Sequence, residues 1–339
     1  MGAGGLHAHC RDPSRVDSPS STDVLDSAMT RAQIVLATHN PRMDLLERQV
    51  ASVVAQSVTD WRCLVLDDSS SAGARRDIAA VLGGDTRFCM LSPQPHLGPY
   101  RAFEHLLREA DQDLPVFLCD QDDSWAPEKM RLMLAELENA PAVFSAMRVV
   151  DEFGTTRRAR FLPRKPSPSN LQPAQLLLMN SVSGASLAVS AETRRKSLPF
   201  PAPQSRGWHD QWLAAVAARI GSITYLDEPL TDYTQHAGQV TGDGLRSVDL
   251  RRLRGFARRI RTVSGLRADL RSRTDWITAA ANQLLSLSDQ PDSGLESLGR
   301  GRWSAGLAQQ LWTGVHKRDV PLTRAALLAA GFATSDPIA

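Results

Sequence analysis

The chain has 339 residues, 42% of them hydrophobic and 22% charged, with a formal net charge of +2. This length and composition are typical of a globular protein with one large domain and an appendage, or with two modest domains. The small net charge argues against a nucleic-acid-binding body. No run approaches the roughly 18–20 apolar residues that span a bilayer, and residues 1–30 lack the apolar stretch of a secretory signal.

Taken in chain order, the sequence predicts a disordered start followed by alternating strands and helices. Residues 1–30 are rich in Gly, Ser, Asp and Pro, without an apolar period. Strands are then predicted from short apolar runs at residues 33–38, 61–66, 88–91, 114–119, 142–145 and 222–226. Helical patterns of about ten residues separate them, so we predict an α/β fold with a Rossmann-like, mostly parallel central sheet flanked by helices.

Residues 116–125 read VFLCDQDDSW and combine an apolar run with three carboxylates, Asp120, Asp122 and Asp123. The run predicts a buried strand, and ligands of open α/β sheets bind at the carboxyl ends of strands. Crowded carboxylates repel one another unless a cation or hydrogen-bond donors neutralise them. Oxygen ligands of this kind suit magnesium or manganese. The alternative is a polar turn in which Asp123 or Ser124 caps the next helix.

Two earlier predicted strands also end in polar residues. The first is followed by His39 and Asn40, and the second by Asp67 and Asp68. Because the carboxyl ends of parallel strands meet at one edge of the sheet, we expect the site at this edge. Taken alone, the two aspartates fit equally well a turn that precedes a helix.

Three of the four cysteines, Cys63, Cys89 and Cys119, lie inside apolar, strand-like runs. None of them has the spacing of metal ligands, so we expect buried, reduced thiols. This expectation, together with the absence of a visible signal segment, indicates a cytoplasmic protein.

Four motifs occur in order along residues 32–244: ATHNPRMDLLERQVASVVAQSVTDWRCLVLDDSS, FLCDQDDSWAPEKM, WHDQWL and DYTQHAGQVTG. Together they resemble the family 2 glycosyltransferases of the GT-A fold. Within that family they are most similar to rhamnosyltransferase-like bacterial enzymes that build cell-surface polysaccharides. The resemblance implies a GT-A domain at residues 31–244. Composition and helical spacing predict a disordered segment at 1–30 before it and a helical, basic extension at 245–339 after it.

The resemblance also implies a reaction and a set of site residues. The implied reaction is inverting, metal-dependent transfer from a UDP- or dTDP-sugar, with dTDP-rhamnose as one candidate, to a saccharide or lipid-linked acceptor. Asp210 matches the catalytic base of the family's xED motif, with His209 in place of the usual glutamate. The cofactor is Mn²⁺ or Mg²⁺, and its implied ligands are Asp122, Asp123 and His236. The implied nucleotide and donor contacts are Ala37, Thr38, His39, Asp68, Asp120, Trp125 and Gly184.

Several of these residues also have an ordinary structural interpretation. Asp210 opens a predicted helix, where a plain N-cap is common. A lone histidine such as His236 is more often structural than a ligand. Core packing is the default for Trp125, as it is for Trp208 and Trp212, although one of them is expected to stack on a sugar.

Two other functions compete with glycosyl transfer. One is a non-catalytic GT-A relative that binds sugar or scaffolds an assembly, which the full set of carboxylates argues against. The other is an Asp-x-Asp phosphotransferase, whose acidic pair usually follows the first strand and not a later one.

The C-terminal region has a strongly basic segment. Residues 246–273 hold ten arginines against Asp249 and Asp269. The apolar residues among them recur at helical spacing, at Leu250, Leu253, Phe256, Ala257 and Ile260. An amphipathic, arginine-rich helix can lie on an anionic membrane surface, which would suit a lipid-linked acceptor and a location at the inner face of the cytoplasmic membrane. The alternative is a helix packed on the catalytic domain with a solvated basic face.

Overall fold

The structure of the protein is a computed structural model that describes residues 31–161, 165–202, 207–236 and 263–302. The predicted disordered start and the apolar positions at 250–260 lie outside these residues. The chain divides into two compact units. The first comprises Met1–Lys165, Ser183–Leu198 and Ile223–Thr234, and the second Pro166–Val182, Pro199–Ser222 and Gln235–Ala339. The domain boundary expected at residues 244/245 stays a prediction.

A nine-stranded sheet forms the centre of the first unit. Its strands are β1 (Ala32–Thr38), β2 (Trp61–Asp67), β3 (Phe88–Met90), β4 (Val116–Cys119), β5 (Ser124–Trp125), β6 (Ala142–Asp151), β7 (Thr156–Arg158), β8 (Leu187–Val189) and β9 (Thr224–Gln235). They lie in the order β3-β2-β1-β4-β8-β6-β9-β5, and β7 pairs with β6.

The sheet has a parallel part and an antiparallel part. Strands β1 to β4 pair in parallel, with Val35 opposite both Leu64 of β2 and Leu118 of β4. Strand β8 is antiparallel to β4 and β6, and β5 is antiparallel to β9. The predicted α/β, GT-A-like fold is confirmed. The strands after the acidic segment add antiparallel pairs, so the sheet is mixed and not mostly parallel as the sequence predicts.

Helices flank this sheet because each has one apolar face. They are α1 (Met43–Val54), α2 (Ala72–Val81), α3 (Gly98–Glu109), α4 (Lys129–Leu137) and α6 (Ala191–Ser197). In α1 the residues Leu45, Leu46, Val50 and Val53 are buried, as their spacing predicts. The strands beneath are buried on both faces, with Ile34, Val65 and Phe117 fully inaccessible.

The cysteines only partly follow expectation. Cys63 and Cys119 are free and buried. Cys89 is disulfide-bonded, so the expected reduced thiol is wrong at that position. The physical reason is its place in β3, the edge strand of the sheet, where the side chain is only half-buried.

The second unit is helical in its described part. It contains α5 (Pro173–Leu178), α7 (His209–Ile220), α8 (Val263–Leu285) and α9 (Ser293–Gly299). Helix α8 packs on α5, α7 and α9. Helices α8 and α9 lie within the expected helical extension, whose extent of 245–339 stays a prediction. Among the residues that the structure describes, no helix is long and apolar enough to cross a membrane.

Candidate functional site

The carboxyl ends of β1, β2 and β4 meet at one edge of the sheet in the first unit. Thr38 pairs with Asp67, and Leu36 pairs with Cys119. Directly after β1 and β2, Asn40 and Ser69 adopt left-handed backbone conformations, with φ values of 41° and 65°. Such conformations cost about 1–3 kcal/mol at residues other than glycine and tend to cluster at functional sites.

Hydrogen bonds between the two strand ends hold this strained backbone in place. The Asn40 N–H donates to Ser70 Oγ over 2.8 Å, and the Ser71 N–H donates to Asn40 Oδ1 over 3.3 Å. The polar corners that the sequence places after β1 and β2 are therefore joined directly.

Gln121, between the predicted ligands, ties the acidic segment to the end of β1. The His39 N–H donates to Gln121 Oε1 over 2.8 Å, and Gln121 Nε2 donates to the His39 carbonyl over 3.5 Å. Sequence reasoning missed this residue because it considered only the carboxylates of the motif. The structure thus couples the expected nucleoside end of the site to the expected metal end.

Asp123 is the most buried of the three carboxylates, with 1% of its surface exposed. Its Oδ1 accepts a hydrogen bond from the Thr234 N–H over 2.9 Å, whereas its Oδ2 is buried and has no hydrogen-bond partner among the described residues. Burial, followed by the charges of Asp122 and Asp120, raises the pKa of Asp123 well above its usual value. An orphaned carboxylate oxygen beside two half-buried carboxylates fits a divalent cation.

Lys129, the first residue of α4, is fully buried next to this segment. Its Nζ donates to the Ala185 carbonyl over 2.7 Å and to Thr231 Oγ1 over 2.9 Å. Burial lowers the pKa of Lys129 to about 7, against the opposing effect of the nearby acidic groups. Ala185 follows the predicted donor-loop glycine, Gly184, in a short 3-10 turn. Lys129 therefore fixes that turn to the element that follows the acidic motif.

Trp125 lies in the core, with 5% of its surface exposed. Its ring contacts Phe117, with centroids 6.1 Å apart, and Lys129 Nζ lies 3.9 Å from the ring centroid. Neighbouring core residues cover its ring, and the expected contact of Trp125 with the donor stays a prediction.

Asp68 is also buried, and it anchors the start of α3. Its Oδ1 accepts from the Leu97 N–H over 2.6 Å, and its Oδ2 accepts from the Gly98 N–H over 2.8 Å. Gly98 has φ +73°, a conformation that glycine adopts without strain. Each carboxylate oxygen has a second lone pair, so Asp68 can still accept a hydrogen bond from a ligand. Asp67, by contrast, is paired with Arg75.

Two exposed histidines flank Asp68. The His39 Nδ1 lies 2.6 Å from the Asp68 carbonyl oxygen, and the His96 Nδ1 lies 3.1 Å from Asp68 Oδ2. The two imidazole rings are 4.8 Å apart and tilted by 44°. Their ligand atoms and that of Asp68 lie within 4.8 Å of one another, so the three residues could also hold a cation. Sequence reasoning missed His96, which lies in a loop without a motif.

The remaining nucleotide-contact candidates of β1 are Ala37 and Thr38. Thr38 is buried, and its Oγ1 donates to Asp67 Oδ1 over 3.4 Å. Ala37 is half-buried in the same strand. Both are therefore placed at the end of β1, next to His39.

Asp210 belongs to the second unit, as the second residue of α7. It is half-buried, and its Oδ1 accepts from the Gln211 N–H over 2.7 Å. Gln211 in turn donates to the carbonyls of Leu176 and Leu177, which attaches α7 to α5. Preceding it, His209 is buried, and burial lowers its pKa to about 3, so its imidazole is neutral near pH 7.

His236 also falls in the second unit, directly after β9. It follows Thr234 by two residues, and the Thr234 N–H is bonded to Asp123. The structure therefore brings the acidic triplet together with Gln121, and His39 together with Asp68, within the first unit. The proposed roles of Asp210 and His236 stay predictions.

Residues 33–189 match the family model described as glycosyl transferase family 2. The succinoglycan biosynthesis protein ExoW of Rhizobium meliloti (strain 1021) is 31% identical over 104 residues, 30% of this chain and 32% of that protein. The putative glycosyltransferase EpsE of Bacillus subtilis (strain 168) is 28% identical over 143 residues, 41% of this chain and 50% of that protein. The matches thus span half or less of these relatives.

A solved structure of S. aureus TarS (residues 1–349), in complex with UDP-GlcNAc, superposes with a TM-score of 0.57 at 12% identity. The superposition covers 89% of this chain and 79% of that one. At this identity the likeness shows the fold alone. The match to the glycosyl transferase family 2 model thus covers residues 33–189, somewhat less than half of the chain, on a GT-A-like fold, and glycosyltransferase is the enzyme class that the comparisons support.

Proposed function

We propose that the chain is an inverting, metal-dependent glycosyltransferase that moves a sugar from a nucleotide-sugar donor to a saccharide acceptor in polysaccharide synthesis. The observation that carries the proposal is the orphaned Oδ2 of buried Asp123 beside two further carboxylates. This cluster lies at the sheet edge where the strands of the family 2 domain end. The names of the relatives, succinoglycan biosynthesis among them, support the polysaccharide context.

The acidic segment is the proposed diphosphate end of the site. Asp122 and Asp123 would hold Mn²⁺ or Mg²⁺, with His236 as a further ligand and Asp120 beside the donor. When bound, such an ion stabilises the negative charge on the departing nucleoside diphosphate as a Lewis acid. The chain's own contribution is the fixed, buried position of Asp123, which the Thr234 N–H and the β5–β9 pairing maintain.

The proposed nucleoside end is formed by Asp68 and His39. Uracil and thymine share an imide N–H that can donate a hydrogen bond to the Asp68 carboxylate. UDP- and dTDP-sugars are therefore both proposed donors, dTDP-rhamnose among them. The TarS structures with UDP-GlcNAc and with UDP support the uridine alternative by fold likeness only. Gly184 is the proposed close neighbour of the donor sugar.

Asp210 is the proposed catalytic base. It would accept the proton of the acceptor hydroxyl while that oxygen attacks the anomeric carbon from the face opposite the nucleotide, which inverts the configuration. The first turn of α7 suits a carboxylate, because free N–H groups and the helix dipole stabilise negative charge there.

The test is Asp210→Asn, assayed with a panel of UDP- and dTDP-sugars and Mn²⁺. Because the amide cannot accept the proton, kcat should fall by about 10²–10⁴-fold, whereas nucleotide diphosphate binding measured by calorimetry should persist. Asp227→Asn is the matched control, since Asp227 is exposed and paired only with surface groups. Near-normal turnover by Asp210→Asn would show that the base is another residue.

The same assays separate the competing functions. Nucleotide binding without turnover of any donor would favour a sugar-binding or scaffold protein. The phosphotransferase alternative is less consistent with the structure, because the acidic segment follows β4 and not the first strand. Such an enzyme also needs a lysine in its site. The nearby candidate, Lys129, instead donates to the Ala185 carbonyl and to Thr231 Oγ1 inside the core.

A further inference from the structure

The backbone that leads into α7 lies against the C-terminal extension, within the second unit. Gly207 precedes Asp210 by three residues, and Trp208 is the N-cap residue of α7 without a side-chain capping hydrogen bond. The first N–H groups of a helix have no intrahelical partners, so the direction in which the chain enters depends on its surroundings. The neighbour of this entry segment is Trp276 of α8.

Trp276 occupies the space beside Gly207. A Cβ atom at residue 207 would lie 2.2 Å from Cε2 and Nε1 of the indole and 2.7 Å from Cζ2. Only 2% of Trp276 is exposed, so the ring is enclosed by packing. The absence of a side chain at Gly207 is therefore a packing requirement that comes from the extension.

Further contacts fix α8 relative to α7 and to the entry segment. Gln283 Nε2 donates to the Pro199 carbonyl over 2.7 Å. Arg219, near the end of α7, donates to carbonyls at the end of α8 and just beyond it: Leu284, Ser288 and Gln290, at 3.1, 2.6 and 2.6 Å. The extension thus contacts α7 at its C-terminal end through Arg219 and reaches the backbone before its N-terminal end through Trp276.

We propose that Trp276 is a positioning residue for proton transfer at Asp210. Its indole sets the path of the backbone at Gly207 and thereby the place where Asp210 enters the first turn of α7. The inference rests on the proposed function, since it affects turnover only if Asp210 is the base. Displacement of a reacting group by 1 Å can cost about 100-fold in rate, so a shift of the entry segment is expected to matter.

The experiment compares Gly207→Ala, Trp276→Phe and the double variant in the full-length chain. Gly207→Ala should lower kcat by about 10- to 100-fold. The KM for the donor and the affinity for UDP with Mn²⁺ should stay within about twofold, because a shift of the entry segment acts on transfer and not on binding. Trp276→Phe replaces the indole whose atoms meet the new Cβ, so the double variant should regain much of the lost kcat.

Gly299→Ala is the control for general damage to the extension. Its Cβ would lie 2.4 Å from Asn282 Oδ1, and Asn282 Nδ2 donates to the Gly299 carbonyl over 3.1 Å. This substitution perturbs the α8–α9 contact without touching the entry segment. It should lower Tm and leave kcat unchanged when all variants are assayed well below their Tm.

Two results would overturn the proposal: wild-type kcat in Gly207→Ala, or no recovery of kcat in the double variant. If Gly207→Ala does not fold, Trp276→Phe alone must lower kcat at least about threefold at unchanged donor KM, and wild-type kcat there rejects the role. The failure of the proposed function looks different. If the proposed function is wrong, Asp210→Asn keeps its activity. If Asp210→Asn is inactive but the Gly207 and Trp276 variants have wild-type kcat, only the positioning role is refuted.

Discussion

At Asp123 the protein buries a carboxylate beside two others, and one of its oxygens has no hydrogen-bond partner in the described part of the chain. A buried unpaired polar atom costs free energy, and the cost is greater when the group is charged. The raised pKa of Asp123 means that the unfolded chain releases this proton at lower pH than the folded one. As the pH rises above about 4, the metal-free protein therefore loses stability, because the unfolded state now binds fewer protons than the native state.

This loss of stability above about pH 4 gives a prediction for Asp123→Asn. Without added metal, the variant should melt at a higher temperature than the wild type at pH 7, by about 2–4 °C for each kcal/mol of repulsion removed. With Mn²⁺ the order should reverse, since the wild type gains binding energy and the variant does not. Thermal unfolding with EDTA and with a manganese titration measures both effects.

Asp227→Asn again serves as the control, because it removes an exposed carboxylate without touching the acidic segment. It should leave the manganese-induced rise in Tm intact. A manganese response in Asp123→Asn equal to that of the wild type would contradict the proposed ligand role.

His209 provides a second prediction at the scale of one residue. Burial lowers its pKa from 6.5 to about 3. Below pH 6.5 the unfolded chain takes up a proton that the folded chain refuses, so stability falls as the pH falls, by at most about 1.4 kcal/mol per pH unit. His209→Gln should remove this component. Urea unfolding at pH 7.5 and 5.0 should show a smaller loss of stability in the variant, by about 2 kcal/mol.

Urea unfolding of the wild type and His209→Gln at higher pH is the control for this prediction. Between pH 8 and 9 neither state protonates His209 appreciably, so the difference in stability between wild type and variant should be constant there. Parallel curves from pH 8 down to pH 5 would mean that His209 is accessible to protons in the folded protein.

At the scale of elements, the sequence predicts best what depends on local pattern. The apolar runs of β1, β2 and β4 are buried on both faces, so their composition alone identifies them. Strand β9 (Thr224–Gln235) was expected only up to residue 226. It continues through DEPLTDYTQ, where no apolar run marks it, because pairing with β5 maintains the extended conformation. Such pairing is a tertiary property that a single-sequence pattern does not contain.

The candidate site divides in the same way. The three aspartates of the acidic segment and Asp68 could be found from the sequence, because carboxylates after apolar runs have a recognisable chemistry. Gln121, His96 and Lys129 could not, because their partners lie 82, 28 and 56 or more residues away. Their roles become visible only when the folded chain brings those partners together.

Lys129 carries the element-scale prediction, since its ammonium joins α4 to β9 and to the turn at Gly184. Lys129→Met keeps the aliphatic stem but leaves the Ala185 carbonyl with the Thr231 hydroxyl alone, at 3.2 Å. It also removes a positive charge near Asp123. We expect a loss of about 1–3 kcal/mol in the free energy of unfolding, measured by urea denaturation at pH 7.

Lys196→Met is the matched control, because Lys196 is half-buried and, among the described residues, forms a surface ion pair with Glu192. It should change stability by no more than about 0.5 kcal/mol. If Lys129→Met is as stable as the wild type, the cost of burying the ammonium cancels its hydrogen bonds, as happens for some buried charges.

At the scale of the whole molecule, the described helices of the extension, α8 and α9, belong to a compact unit with α5 and α7. Trp276, Leu284 and Leu295 are each at most 2% exposed, in helices that belong with α5 and α7. Removing everything after residue 244 would take these side chains away from α7, on which the proposed base lies. A truncation at this point therefore tests folding and membrane binding together and cannot separate them.

The sharper test of membrane contact changes only charge, in residues 251–261, ahead of α8. Six arginines cluster there: Arg251, Arg252, Arg254, Arg258, Arg259 and Arg261. Each basic residue near an anionic surface contributes about 1 kcal/mol, so replacing all six by Gln should abolish flotation with phosphatidylserine vesicles, while Tm stays unchanged. Flotation of the wild type should weaken with salt, because screening shortens the reach of the attraction. Absence of wild-type flotation at low salt would leave the basic segment with the other expected role, a solvated face of the folded chain.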